Sequence, residues 1–323
     1  MKSRRSFALI CILLTANWSP VTGHWFPATA QQLNKALTYK KYTLDDTYNY
    51  KSHAREFQWD KIKANLAEVD QFYLAIGESW GILKNKSNER GEPPLPRNSK
   101  RNEYQTMTDS YGKERDQAIP LYLPKDLKVP ERYGSDGSLV KIIGKQEGFS
   151  IVKMFNMDKI YRIPSQYVYQ MSKDTGFEKV VVVDRKNQNI STYEKVNADW
   201  VVRSMNPCTT GAHRPPYQHP TPLGMFVIQN KVKVMPFCKD GTREIGGWAP
   251  WASRFSEGAY LHGVPVGASD STLHLASEKN IVEFRSSLGT IPLSHACVRN
   301  ASSHAKFIYD KFPPEETLVF VIE

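Results

Sequence analysis

From residue 116 onward the chain is a succession of short apolar runs broken by turn-forming residues, and few folds accept that pattern. Ile119 to Leu123, Leu139 to Ile143 and Phe149 to Met154 come first; Val180 to Val183, Ile190 to Tyr193, Trp200 to Met205, Phe226 to Gln229 and Leu318 to Ile322 follow. Each run is four to six residues long, the length of a strand, and most are rich in β-branched or aromatic side chains. Turn material such as Tyr133-Gly134-Ser135-Asp136-Gly137 and Gln146-Glu147-Gly148 separates them. The strand–helix alternation of a doubly wound parallel sheet is missing. One helix interrupts the β region: Ser302 or Ser303 caps it, Phe307, Ile308 and Phe312 form its apolar side, and Pro313-Pro314 stops it.

Upstream the period changes. Trp59, Ile62, Leu66, Val69, Tyr73, Ile76 and Trp80 recur at steps of three and four, which places them on one helix face. That face reads as a core surface, with a binding face as the alternative. Gly81 marks an end, and residues 84–103 are polar, Pro-bearing and loop-like. The fold class expected is therefore multidomain α+β: a helical N-terminal region over 24–115, a small β-barrel over 116–172, and a mainly-β domain over 177–323. The strand spacing of the middle part and its Gly148-Phe149 turn resemble a bacterial SH3-type domain.

The first residues predict export. Lys2, Arg4 and Arg5 precede an apolar core from Phe7 to Leu14, and Val21-Thr22-Gly23 offers small residues for cleavage before His24. Residues 1–23 are thus expected to be a signal peptide, and no other stretch is apolar enough to span a membrane. The formal charge of +10 becomes 10 − 3 = +7 once those three cations leave, because no acid lies among them. With no basic run and no aromatic-interleaved basic motif, nucleic acid is a poor partner; an anionic envelope polymer is the better match. Three cysteines then remain, Cys208, Cys238 and Cys297. In an oxidising compartment the economical assignment is a Cys208–Cys238 bridge with Cys297 free.

Chemistry concentrates in Ser294-His295-Ala296-Cys297-Val298-Arg299, with Tyr260-Leu261-His262-Gly263 a short way upstream. A thiol attacks only as thiolate, and imidazole and guanidinium neighbours favour that form. Cys297 is the candidate nucleophile and His262 the candidate base. His295 ranks second, because a side chain two residues away along a turn reaches the sulfur poorly. Arg299 binds a carboxylate or depresses the thiol pKa, a structural ion pair being the alternative. Ser294, Ala296 and Gly263 shape the loop and its oxyanion site, and Gly289 allows close backbone approach. Trp248, Trp251 and Tyr260 form a substrate wall or core. A zinc site from Cys208, Cys238, His213 and His219 is weakly motivated, since the spacings fit no tight ligand pairs. Neither metal nor cofactor is expected.

Residues 177–323 resemble the catalytic domain of the L,D-transpeptidases of bacterial cell-wall assembly. Val180-Val181-Val182-Val183-Asp184 with Gln188 and Ile190 to Tyr193 resembles that family's opening hairpin, and Thr221-Pro222-Leu223-Gly224 its Thr-Pro-x-Gly segment. Leu261-His262-Gly263 resembles the strand bearing the family's histidine, and residues 294–299 resemble its Ser-His-Gly-Cys-(Ile/Val)-Arg signature. Two departures stand out. Ala296 occupies the usual glycine position, so a positive φ there would cost about 1 kcal/mol. The 35 residues between His262 and Cys297 exceed the usual spacing, and the excess, Pro265 to Thr290, reads as an insertion that could cap the cleft.

The resemblance implies acyl transfer from peptidoglycan stem peptides through a Cys297 thioester. An amine of another stem or of an envelope protein would be the acceptor; water would make the enzyme an L,D-carboxypeptidase. The competing class is a wall-binding protein whose transpeptidase fold has lost activity. Sortases place their arginine on a later strand, and papain-like proteases order cysteine before histidine.

Overall fold

The centre of the molecule is a strand apolar on both faces. In Lys179–Asp184 each of Val180 to Val183 is buried, because layers cover the sheet from both sides. The computed structural model describes residues 33–73, 79–155, 157–172, 175–267 and 281–323, so the expected signal peptide, residues 1–23, lies outside the described residues. Six strands form the sheet, in the order Asn34–Lys35, Asp199–Pro207, Asn189–Val196, Lys179–Asp184, Thr317–Ile322 and Gly224–Val227. Lys179–Asp184 runs parallel to Thr317–Ile322 and antiparallel to Asn189–Val196.

Helix α1, Trp59–Tyr73, covers one face. Its Ile62, Leu66 and Val69 pack on Val180, Val182, Tyr193, Val202, Leu318 and Phe320. On the other face Val181, Val183, Ile190, Phe226 and Val319 meet Phe255, Leu261 and Val298, together with Ile308 and Phe312 from helix α2, Ser302–Lys311, and the residue that follows it. A second sheet runs Asn230–Cys238, Ile245–Ser256, Ala259–His262, Val298–Arg299, with Val266–Gly267 also paired to Ile245–Ser256.

Helix α2 starts differently from the expected serine cap. Ala301 is the residue before it and makes no side-chain cap; the segment ahead of it supplies the acceptors. The Glu283 carbonyl accepts from the Ser302 N–H at 2.9 Å, and the Glu283 carboxylate accepts from the Ser303 N–H at 3.1 Å and from the Ser303 hydroxyl.

The helical region expected over 24–115 is corrected: among its described residues α1 is the one α-helix. Thr47–Tyr50 and His53–Glu56 form a hairpin, Lys100–Arg101 pairs with Met107–Thr108, and Ser79–Leu83 is a strand. Trp80 and Gly81, expected on or ending the helix, lie in that strand. The three–four spacing carried past Tyr73 by coincidence, because a short apolar run looks alike in either conformation.

That strand opens a five-stranded antiparallel sheet in the order Ile160–Pro164, Phe149–Met154, Leu139–Gln146, Ser79–Leu83, Val168–Gln170. A 3-10 turn, Ser165–Tyr167, joins two of its strands. The module has its own core of Leu83, Ile119, Leu121, Val140, Val152 and Ile163, and it takes in residues well before 116. Leu33–Glu323 clusters as one unit, and the module meets the larger sheets at Asp136-Gly137-Ser138.

At this junction Asp136 is fully buried and accepts from Asn85 N–H, Gln229 Nε2, Arg254 Nη1 (2.5 Å) and Glu257 N–H. A buried carboxylate needs this many donors to offset lost hydration. Gly137 holds φ +84°, its N–H reaches Leu83 O, and its carbonyl accepts from Val227 N–H. A Cβ there would fall 1.9 Å from the Phe255 carbonyl oxygen. Gly137→Ala is therefore expected to cost about 2–3 kcal/mol, read as a lowered urea midpoint; an unchanged midpoint would show that the junction yields without strain.

Candidate active site

A two-residue parallel pairing assembles the site. Leu261 lies opposite Val298 and His262 opposite Arg299, so His262 and Arg299 share one face. Cys297, two residues before Arg299, sits beside Tyr260 at the head of the same ladder. Its sulfur lies 3.5 Å from the Gly258 carbonyl oxygen. Asn300 N–H continues the ladder onto the His262 carbonyl at 2.8 Å.

His262 is buried, and its Nδ1 donates to the Gly263 carbonyl at 2.6 Å. That bond fixes the tautomer and leaves Nε2 as the basic nitrogen. Gly263 must be glycine, since a Cβ would approach Ser302 Oγ at 2.7 Å and Pro250 Cγ at 2.8 Å.

Burial dominates the titration of Cys297 and His262. It pushes the Cys297 thiol up to about 11, with the Tyr260 backbone N–H and the Arg299 charge pulling it part of the way back. It pushes His262 down to about 4; the bond to Gly263 resists this and Arg299 reinforces it. Near neutral pH the resting pair is thus uncharged thiol and uncharged imidazole. Arg299 is itself held below its usual value by burial, and Arg285 adds repulsion while Cys297 favours its charge. Its backbone pairs with Thr209 in both directions, at 2.8 and 2.9 Å, while its buried Nε has no hydrogen-bond partner among the described residues. Among the described residues no carboxylate lies within ion-pair distance of Arg299.

The loop before the nucleophile is tightly built. Ala296 takes φ +72°, the left-handed conformation expected of a glycine position. Buried Ser294 donates from Oγ to the Cys297 carbonyl; its N–H reaches Thr210 O, and its carbonyl accepts from Ala212 N–H. Sequence reasoning missed two supports here. Gly211 lies so close that a Cβ would come 2.2 Å from His219 O and 2.7 Å from Ala296 Cα and N. Thr221, first residue of the Thr-Pro-x-Gly segment, accepts the Gly211 N–H at 2.8 Å through its hydroxyl. The motif's threonine thus ties down the backing of the nucleophile loop.

The other expected residues separate. His295 points outward, its Nε2 2.8 Å from Asp240 in the turn after Asn230–Cys238. Tyr260 is half-buried beside Cys297, whose charge raises its pKa along with burial, the larger cause. Trp251 is buried, with its ring edge-on to Tyr309 of α2 and Lys233 and Lys306 over it, so it is core. Trp248 is half-buried, opposite Pro236 and Val266 in the second sheet. Gly289, at φ +76°, packs against Pro207.

The expected disulfide is corrected: Cys208 and Cys238 are free. Cys208 sits fully buried among Val181, Val183 and Val298, whereas Cys238 is exposed at a strand end. The zinc grouping is likewise dispersed, with His213 on Glu103 and His219 on Glu114. Of the Pro265–Thr290 stretch, residues 268–280 lie outside the description; Val282 and Leu288 pack on Val264 and Ala301 beside α2.

Residues 178–321 match the family model of the L,D-transpeptidase catalytic domain. That part of the chain is similar to this family. Among solved structures, a fused Zn-dependent amidase/peptidase/peptidoglycan-binding protein from Clostridium acetobutylicum is 21% identical, over 46% of this chain and 54% of that one, at a TM-score of 0.32; the chain thus spans about half the length of that relative. An L,D-transpeptidase from Mycobacterium smegmatis is 16% identical over 57% and 82%, at 0.36. L,D-transpeptidase 3 from Mycobacterium tuberculosis is 16% identical over 59% and 93%, at 0.33. No curated protein matches the sequence.

The charge state has a direct readout. Iodoacetamide alkylation of Cys297, followed on its own peptide by mass, should keep rising through pH 9–10; a plateau near pH 7 would mean a standing thiolate–imidazolium pair. Gly211→Ala should slow that alkylation at least tenfold or so by displacing Ala296, and native rates would show the loop to be compliant.

Proposed function

We propose that the chain is a cysteine-dependent L,D-transpeptidase acting on peptidoglycan stem peptides through a thioester on Cys297. What supports this reading is the Leu261–His262 against Val298–Arg299 pairing, which sets His262, its Nδ1 held by the Gly263 carbonyl, opposite Arg299 and two residues along the ladder from Cys297. His262 Nε2 takes the Sγ proton as sulfur attacks the donor carbonyl. Because both groups rest uncharged, proton transfer accompanies attack instead of preceding it. Backbone N–H groups around His295, Ala296 and Cys297 hold the developing oxyanion. His262 then passes its proton to the departing amine, terminal D-alanine, and an incoming amine resolves the thioester and regenerates the thiol. Arg299 binds a substrate carboxylate.

The acceptor is a side-chain amine of another stem, giving a 3→3 cross-link, or an amine of an envelope protein. The reading places the protein outside the cytoplasm, in the periplasm or on the wall, after loss of residues 1–23. The five-stranded module with its 3-10 turn between the last two strands supports an SH3-like assignment, its bounds moved to begin near Ser79.

Incubation with tetrapeptide muropeptides should give a Cys297 acyl-enzyme by intact mass and cross-linked dimer as product, and Cys297→Ala should abolish both. A carbapenem should leave one adduct on the same residue. Tripeptide without dimer would identify an L,D-carboxypeptidase. Wall binding unchanged in Cys297→Ala, with no acyl-enzyme in the unsubstituted chain, would identify a binding protein.

A further inference from the structure

The nucleophile touches a turn that the five-stranded module holds. Glu257–Gly258 joins Ile245–Ser256 to Ala259–His262, and its Gly258 carbonyl is the oxygen 3.5 Å from the Cys297 sulfur. Glu257 bends the turn at φ +38°. Its N–H donates to Asp136 Oδ2 at 3.0 Å, and its carboxylate pairs with Lys113 Nζ. Ser256 Oγ donates to the Asp136 carbonyl at 2.8 Å, and Arg254 reaches both Asp136 and Glu257 O. Lys113 and Asp136 both belong to the chain between strands Ser79–Leu83 and Leu139–Gln146 of the module.

The same excursion grips the other side of the site. Tyr104 stacks on His219 with ring centroids 3.9 Å apart, and its hydroxyl donates to Gln218 O at 2.8 Å. The carbonyl of His219 and the backbone of Ala296 crowd the same face of Gly211, where a Cβ would stand. Glu114, next to Lys113, lies 3.4 Å from His219 Nδ1. One loop of the module therefore braces both backbone segments that contact the nucleophile and its loop.

We infer that Lys113, Asp136 and Tyr104 are positioning residues for the Cys297 thiol, so that the module is part of the catalytic apparatus instead of a tethered wall-targeting domain. The inference rests on Cys297 as nucleophile. Lys113 acts through Glu257 and Gly258, and Tyr104 through His219 and Gly211; neither touches the reacting atoms. Releasing the turn moves a carbonyl dipole off the sulfur, which changes both attack geometry and thiol ionisation.

The test uses the full chain and two readouts, kcat and KM with tetrapeptide, and the pH profile of iodoacetamide alkylation at Cys297. Lys113→Met and Glu257→Gln should each lower kcat roughly tenfold with KM within about threefold, and displace the alkylation midpoint by about half a pH unit or more. The double swap Lys113→Glu with Glu257→Lys should recover most of both. A folded Lys113→Met with native kcat and a superimposable alkylation profile overturns the inference, since a purely structural pair would change stability alone. If Lys113→Met does not fold, Tyr104→Ala, which leaves the ion pair intact, decides on the same two readouts. The alkylation profile needs no substrate, so lack of acyl-enzyme in the unsubstituted chain would remove the proposed activity, and the module's catalytic role with it, while the profile still reports whether the module positions the thiol.

Discussion

Everything at the site hangs on two residues of parallel strand. A parallel ladder requires a crossover between its members, and here the whole stretch from Gly263 to Cys297 lies between Ala259–His262 and Val298–Arg299. So brief a pairing has little stability of its own. It persists because Leu261 and Val298 are fully buried against Phe255, Val181 and Val319, because Asn300 continues the hydrogen bonding past one end, and because Thr209 pairs with Arg299 on its other edge. The core of the larger sheet thus sets the register that brings His262 and Arg299 onto one face, with Cys297 two residues along. A slip by one residue would send either side chain to the opposite face.

The same burial that fixes the register also sets the chemistry. A thiol driven up and an imidazole driven down give a resting pair without charge beside the Arg299 cation. The strained backbone is of modest size. A left-handed alanine costs about 1 kcal/mol, and the Ser294 and Thr210 hydrogen bonds around it, at about 1 kcal/mol each, are enough to hold it.

Much of this was legible in sequence for a physical reason. Val180 to Val183 and Leu318 to Ile322 announce themselves because both faces of their sheet are covered, and Cys297, His262 and Ala296 because reactive or left-handed positions tolerate few residue types. Trp80 misled because an apolar run of five residues, Ser79–Leu83, carries no period of its own. The Cys208–Cys238 bridge failed because parity of count says nothing of depth: one sulfur is sealed in the core and the other lies at a hairpin end. Lys113, Asp136, Tyr104 and Thr221 were invisible as site residues, since each acts through backbone brought near from far along the chain.

The order of strands in the larger sheet carries a last consequence. Thr317–Ile322 is an interior member, flanked by Lys179–Asp184 and Gly224–Val227. While those residues are still unmade, the sheet is split and neither apolar face can close. Closing the sheet therefore depends on pairing segments far apart in the chain, the kind of non-local contact that slows folding.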